Sequence, residues 1–401
     1  MRICSTPLST KDSYSLLHKA NQNILASLSD AEVTMSNWAD QFLATVETVD
    51  DMVVAFSDED RCRRIFEALV WPDGRACPAC GYMRSIALCD RSIGRQYRAR
   101  PGLYQCSASA CRFQFTATTR TPFHATKLPL STWLRGLWLI LQSDKGISSP
   151  RLAEALGVSQ PTAWRMGHAL RLLVAEVDQY AGVLEVDEFH FGGRTKRDPD
   201  HPRPGRGRKG LPRTTKTPAL AMVERPKNQN PGTQAGRAGA EVIKDLSLNE
   251  TERVFERVVD YGATHLMSDE WKAFTAVGKD FPAHDTVCHS KHEYARGDVH
   301  ANSAEAFNNR VRRTVTGVFH HISTEHADLY FNEIGFRWSQ RVVARQTIRR
   351  SKKGSESTQT VWTRIAPAMQ LKAVLRRAVG RQLRRTGDGG IKIISRLAVF
   401  G

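Results

Sequence analysis

The sequence predicts a multidomain protein of mixed α/β class. Three observations carry this. The 401 residues exceed one small core and suit about two to three domains. Residues 71–123 are rich in Cys, Gly and Arg and short of long periodic stretches, which suits a small metal-stapled module. Strong helical periodicity over 130–176 then gives way, from 182 onward, to strand-like runs.

Composition narrows the class. Hydrophobic residues make up 41% and charged residues 25%, which excludes a wholly disordered or fibrous chain. Eight cysteines are too sparse for a disulfide scaffold. No apolar run approaches the ~20 residues that cross a bilayer; the best, Leu134 to Leu141, is short and carries Arg135. The start, MRICSTPLST, has no apolar core followed by a small-residue cleavage site, so a cytoplasmic protein is expected. Lys and Arg number 58 against 41 Asp and Glu, a net charge of +17. Residues 1–60 hold ten acids and three bases, so the body beyond them carries +24. A basic body of that size predicts a polyanionic partner, because neutralising phosphates releases counterions; the alternative is a solubilising surface.

In chain order, residues 1–50 show two weak helical patterns and no motif. Residues 57–70 (SDEDRCRRIFEALV) read as a helix, with Ser57 as its N-cap and Ile65, Phe66 and Leu69 behind. Strands are expected at 182–191 (GVLEVDEFHF) and 218–224 (PALAMVE), separated by a basic Gly/Pro-containing loop over 194–216. Residues 250–260 read as helix, 263–268 (ATHLMS) as a short strand, and 302–316 and 325–346 as helices. The stretch 341–385 holds 13 bases and one acid, partly in an amphipathic helix near 361–378.

Cys77-Pro-Ala-Cys80 is followed after 25 residues by Cys106-x4-Cys111. Two close cysteine pairs are the sequence form of a tetrahedral Cys4 Zn2+ site, each pair on a knuckle, and Gly81 suits the first turn. The x4 spacing is wider than the usual x2, and Cys89 is a spare thiol able to replace one ligand. Four ordinary buried cysteines, or a redox pair, are the alternatives, although the helix-opening βαβ setting of a redox pair is absent. Arg75, Arg91, Arg95, Arg98, Arg100 and Arg112 surround the module and suit a surface held against DNA.

Ser148 to Leu172 reads SSPRLAEALGVSQPTAWRMGHALRL. One helix (Leu152, Ala153, Leu156) ends at Gly157, Val158 packs in the turn, and Ser159 caps a second helix opened by Pro161. This is a helix-turn-helix pattern, which also occurs as plain three-helix packing. As a recognition helix for a major groove it presents Gln160, Thr162, Arg165 and His168 outward and keeps Ala163, Trp164 and Leu170 for packing.

Three acids stand out. Asp187 lies within an apolar strand, where an unpaired carboxylate costs several kcal/mol. Asp269 ends another apolar strand, and Glu305 opens the 302–316 helix. Together they suit two divalent cations ~4 Å apart, able to drive an in-line phosphoryl displacement. Arg312, two helical turns after Glu305, falls on the same face and suits a phosphate. Singly, Asp187 could pair with arginine, Asp269 could be a turn residue, and Glu305 could close a capping box from Asn302. His289, His300, His320, His321 and His326 suit solvent or DNA more than a metal cluster. Asn308 and Asn309, on the helix of Glu305, suit DNA or solvent equally.

With these residues in view, the chain resembles the DDE-type transposases of bacterial insertion sequences, in their zinc-ribbon, ISXO-like lineage. The likeness spans about 57 to 341, through WPDGRACPACG, YQCSASACRFQFTATTRTPFHATKLPLSTW, the helix-turn-helix, VDEFHFGG, SDEWKAF, HANSAEAFNNRVRRTVTGVFHHIS and YFNEIGFRWSQR. The resemblance implies a ribonuclease-H-like core with Asp187 on the first strand, Asp269 after the fourth and Glu305 on a following helix. It implies cleavage at the element's 3′ ends and attack of the freed 3′-hydroxyl on target DNA, with Mg2+ (or Mn2+) as two catalytic ions. It also implies a homo-oligomer in the active complex, with terminal inverted repeats and target DNA as partners and no membrane. The sequence departs from the pattern at the x4 cysteine spacing and at Arg312, where lysine is usual. Some relatives place Asn or His at the third acid, which leaves Asn302 as a substitute ligand.

The expected division is an acidic extension (1–56), a helix plus zinc ribbon (57–125), a helix-turn-helix domain (126–178), a catalytic core (179–346) and a basic tail (347–401). The rival reading is a non-catalytic regulator that keeps only the ribbon and helix-turn-helix.

Overall fold

The structure, a computed structural model, describes residues 35–88, 101–175, 178–192, 216–350, 356–385 and 391–395. Cys89, Arg91, Arg95, Arg98, Arg100 and nearly all of the 194–216 loop lie outside the described residues.

Helices α1 (Met35–Ala44), α2 (Val49–Ala55) and α3 (Glu59–Val70) lead the chain. The cap of α3 is Asp58, whose carboxylate accepts the Arg61 N–H at 2.6 Å; Ser57 instead donates to Val54 O. A carboxylate at that position also meets the positive end of the helix, which favours it over the hydroxyl. Strands β1 (Ser85–Ala87), β2 (Tyr104–Cys106) and β3 (Gln114–Phe115) then form an antiparallel sheet in that order.

Helices α4 (Leu130–Gln142), α5 (Ser149–Leu156) and α6 (Gln160–Leu173) follow. Gly157 ends α5 in the left-handed region at φ 66°, which a side chain would strain. These helices share one apolar core with α1 to α3, through Leu43, Phe56, Phe66, Trp133, Leu137 and Leu170. The described part of the acidic extension is therefore packed into the helical unit.

The second unit is built on a five-stranded sheet. Its strands are β4 (Tyr180–Phe191), β5 (Thr217–Glu224), β6 (Ala238–Val242), β7 (Val259–Ser268) and β8 (Ala283–Thr286). Their order is β6-β5-β4-β7-β8, with β6, β5 and β4 antiparallel and β7 and β8 parallel to β4. Helices α7 (Leu248–Val258) and α8 (Lys272–Val277) cover one face, over Leu184, Val186, Leu220 and Leu266. After the two-residue strands β9 (Ala295–Arg296) and β10 (Val299–His300), helices α9 (Asn302–Thr314) and α10 (Ala327–Ser339) cover the other, over Phe189, Phe191 and Ala221. Alternation along β4 produces this split: Glu185, Asp187, Phe189 and Phe191 face α9 and α10, whereas Leu184 and Val186 face α7 and α8. A Cβ at Gly335 would collide with Ala238 O, so glycine there lets α10 lie against β6.

Helix α10 stops at Ser339 rather than running to 346. The chain turns at Gln340 into β11 (Arg341–Arg350), which pairs antiparallel with β12 (Glu356–Arg364). β-Branched Val342 and Val343 pair with Thr363 and Trp362, a partner that local periodicity cannot reveal. The boundary expected at 346 falls within this ribbon. Helix α11 (Pro367–Arg376) returns Leu371, Val374 and Leu375 to the helical core, and β13 (Arg381–Arg385) pairs with β14 (Ile391–Ser395). Among the described residues, no helix is long and apolar enough to cross a membrane.

Candidate active site and metal centres

The cysteine module comes first in the chain. Gly81, at φ 76°, lets the chain turn so that its N–H reaches Cys77 O at 2.8 Å while Cys77 N–H reaches Tyr82 O at 2.9 Å. The second pair makes a tighter turn, with the Cys111 and Arg112 N–H groups both donating to Ala108 O. The four thiols of Cys77, Cys80, Cys106 and Cys111 converge within 4.8 Å. Cys77 Sγ lies 3.9 Å from Cys111 Sγ, and Cys80 Sγ 3.6 Å from Cys106 Sγ. A tetrahedron of sulfurs ~2.3 Å from zinc has edges of ~3.8 Å, so the donor set fits the ion, and the x4 spacing is accommodated. Arg75 stacks on the Tyr104 ring at 4.1 Å, while Arg112 stands exposed.

The second centre lies where β4 and β7 run side by side. Their parallel register pairs Glu185 with Met267; continued by two residues, it sets Asp187 beside Asp269. Oxygens of Asp187, Glu188 and Asp269 lie within 4.8 Å of one another. Glu188 is the member that the sequence reading missed. Strand alternation sends it to the opposite face from Asp187, but Asp269 stands just past the end of β7, where both residues can reach it.

Burial, and next the Asp269 carboxylate, push Asp187 up to about 6; the same causes in the same order push Glu188 up to about 7. Glu188 Oε2 is buried without a hydrogen-bond partner among the described residues. A half-buried group of acids with unsatisfied oxygens is the donor chemistry of a hard divalent cation. Asn308 Nδ2, from α9, donates to Asp187 Oδ2 at 2.5 Å and holds that carboxylate toward the helix.

Glu305 stands outside this cluster. It faces the same edge of α9 as Asn308 and is close enough to raise Asp187 further, but its carboxylate is half exposed, 3.9 Å from His289 Nε2. It does not close a capping box, because Asn302 is the first helical residue and the cap, Ala301, has no side-chain bond. Asn302 itself is exposed. Arg312 is exposed two turns further along α9, near enough to His190 to help lower that imidazole's pKa, after burial and Lys216.

Glu185 docks this helix. It is fully buried on the α9 face of β4, and its Oε2 accepts the Ser303 and Ala304 N–H groups at 2.6 and 3.3 Å. Arg225 Nε donates to Oε1 at 2.5 Å and balances the charge. His300 belongs to this arrangement, with Nδ1 2.8 Å from Arg225 Nη2, so it serves structure. No cluster containing histidine has metal-ligand spacing among the described residues.

In α6, Gln160 and Arg165 are exposed and Thr162 is half-buried; Gln160 Nε2 donates to Ser149 Oγ at 2.9 Å. His168 corrects the outward face expected of it. It is fully buried between Trp164, His326 and Tyr330, where α6 packs on α10. Arg171 Nε donates to Glu333 Oε2 at 2.5 Å in the same interface, and Arg337 donates to the other oxygen. Burial works against the Glu333 charge, but the two guanidiniums overcome it and hold that carboxyl below the usual range. The helical pattern of α6 alone could not show that α10 covers this side.

A four-cysteine ribbon and an acid cluster on a mixed sheet are features of one class, the zinc-ribbon transposases. Residues 57–114 match the family model of the transposase zinc-ribbon domain and residues 179–339 that of the ISXO2-like transposase domain. The chain belongs to the DDE-type transposases of insertion sequences, in the zinc-ribbon ISXO-like lineage. It is 24% identical over 267 residues, 65% of its length, to an uncharacterized protein in transposable element ISH50 of Halobacterium salinarum, of which the match covers 84%.

Proposed function

We propose that the chain binds the terminal inverted repeats of its element and catalyses metal-dependent 3′-end cleavage and strand transfer. The observation that carries this reading is the juxtaposition of Asp187 and Asp269 at the ends of two parallel strands inside a transposase domain. Three antiparallel strands followed by two parallel ones, with an acid on the central strand, support a ribonuclease-H-like core. The compact α4–α6 unit supports the helix-turn-helix reading, with Gln160, Thr162 and Arg165 toward DNA.

Asp187, Asp269 and Glu305 are the proposed catalytic carboxylates, and Glu188 stands as an additional donor. Two Mg2+ or Mn2+ ions held there would activate the attacking oxygen and stabilise the leaving one. Asn308 fixes the Asp187 rotamer, Glu185 fixes the start of α9, and Arg312 supplies a cation for phosphate on the Glu305 face. Cys77, Cys80, Cys106 and Cys111 hold structural zinc. Division at 125 and 178, a homo-oligomeric complex on the DNA, and a cytoplasmic, nucleoid-associated location complete the proposal.

The test is cleavage and joining of duplexes taken from either side of the reading frame, with Mg2+, comparing wild type and Asp187→Asn. The wild type is expected to nick and join, and the variant to do neither. Equal activity in both, or none in either, overturns the enzymatic reading in favour of a DNA-binding regulator. Cleavage without joining would define a nuclease.

A further inference from the structure

Behind α9, away from the carboxylates, a cavity of about 230 Å³ opens at the foot of the β11–β12 ribbon. Three parts of the fold meet there: the loop after α4 (Asp144), the two helices of the catalytic domain (Arg310 of α9 and Arg337 of α10), and the ribbon (Arg341 and Arg364). Four guanidiniums thus share a lining in which Asp144 is the acid. Asp144 is itself divided between Arg310 at 3.6 Å and Arg364 at 3.7 Å.

The site is built rather than superficial. The Arg337 side chain is only 7% exposed, and its Nε and Nη1 are buried without hydrogen-bond partners among the described residues. Its remaining nitrogen, Nη2, serves Glu333 and Ile140 O. Arg341 is held against the Trp338 and Trp362 rings at 4.2 and 5.3 Å, with Nε on Trp338 O. Burial, and then the neighbouring Arg310, lower the Arg341 pKa to about 10, and burial lowers that of Arg310 as well. Arg337 shares Glu333 with Arg171, and the half-buried Arg310 and the exposed Arg364 share Asp144, so the guanidiniums here outnumber the carboxylates within reach.

We propose that this cavity is a phosphate site, seating one backbone phosphate of bound DNA between the helical unit and the ribbon. Planar guanidiniums match a tetrahedral oxyanion through paired N–H donors, and the volume suits one such group. Arg310 lies five residues after Glu305, about 7.5 Å of rise along the same helix, so a phosphate seated here sets the DNA at a fixed offset from the carboxylates. Beyond the cavity, Arg345 and Arg349 are exposed further along β11, while Arg350 pairs with Glu356 across the ribbon. Arg341 and the whole ribbon lie beyond the matched transposase domain.

The DNA source of the phosphate rests on the function proposed above; the oxyanion site does not, and two measurements separate them. First, the melting temperature of the full chain is followed in inorganic phosphate against chloride at equal ionic strength, for wild type and Arg341→Gln/Arg364→Gln. Phosphate is expected to stabilise the wild type and not the variant. Second, binding of a mixed-sequence duplex is followed against salt, with Arg253→Gln/Arg257→Gln, which removes the same number of charges from α7 and outside the cavity lining, as the control. The double variant is expected to bind about fivefold more weakly and to lose about one unit from the slope of log K against log salt. Phosphate stabilisation with unchanged DNA binding would keep the oxyanion site and overturn its assignment to DNA. No phosphate effect and an unchanged slope would overturn the site. Should the double variant not fold, Arg364→Lys, which keeps the charge and loses the fork, is expected to reduce the phosphate effect; an undiminished effect overturns the site.

Discussion

Glu185 Oε2 accepts the backbone N–H of Ser303 at 2.6 Å, and this bond joins the strand of Asp187 to the helix of Glu305. One carboxylate thereby caps α9, neutralises Arg225 and fixes the separation of two proposed catalytic acids. Glu185→Gln keeps the shape but removes the charge from a fully buried site, leaving the partly buried Arg225 uncompensated. A loss of about 3 kcal/mol in urea unfolding is expected. A loss under about 1 kcal/mol would show that the docking contributes little.

Sequence alone made part of this site legible. Asp187 and Asp269 stood out because a charge inside an apolar strand is conspicuous, and the cysteines because their spacing is itself a ligand geometry. Glu185 and Glu188 were hidden by the same strand: alternation marks a face but not what covers it. Glu185 acts through main-chain N–H groups 118 residues away, which leave no mark on composition. The β11 strand was missed for a related reason, since its pairing partner, β12, lies across the ribbon.

Glu188 and Glu305 make opposite predictions about the metal. Glu188 already lies within the acid cluster, whereas Glu305 stands outside it. In Mn2+ titration by calorimetry, Glu188→Gln is expected to weaken binding by at least about tenfold, and Glu305→Gln by less. The reverse order would mean that α9 closes onto the ion and that Glu188 is only a neighbour.

Protons compete with that ion. Asp187 and Glu188 have folded pKa values raised to about 6 and about 7, above their ordinary values, so the metal-free folded state holds more protons than the unfolded one. Their contribution therefore favours folding at acid pH and is lost as pH rises through this window to about 7. Metal affinity runs the other way, rising about tenfold per pH unit for each proton displaced. Melting curves with and without Mn2+ should diverge from about pH 5 to pH 8. A metal-induced shift independent of pH would contradict the cluster as the binding site.

Zinc is expected at one ion per chain. Cys111→Ser should lower that stoichiometry and release the small ribbon core of Tyr104 and Phe115, whereas Cys89→Ser should leave it unchanged. Elemental analysis after dialysis decides; loss of zinc in the Cys89 variant would make that thiol a ligand in place of one of the four.

Arg165 and His168 share α6 and separate binding from folding. Arg165 is exposed, so Arg165→Ala is expected to weaken binding to the flanking duplex about tenfold without shifting the melting transition. His168 is buried against Trp164, His326 and Tyr330, and burial, followed by the charge of Arg171, lowers its pKa to about 3. A depressed histidine pKa means that the unfolded state takes up the proton first. Its contribution is complete above about pH 6.5 and declines as pH falls, by on the order of 1 kcal/mol per unit. His168→Phe keeps an aromatic ring in the box and removes the titrating group. It should flatten the acid limb of the stability profile below about pH 6 and leave duplex affinity within about twofold. A large loss of affinity with an unchanged acid limb would put His168 back on the DNA face and would require α6 to part from α10 when DNA binds.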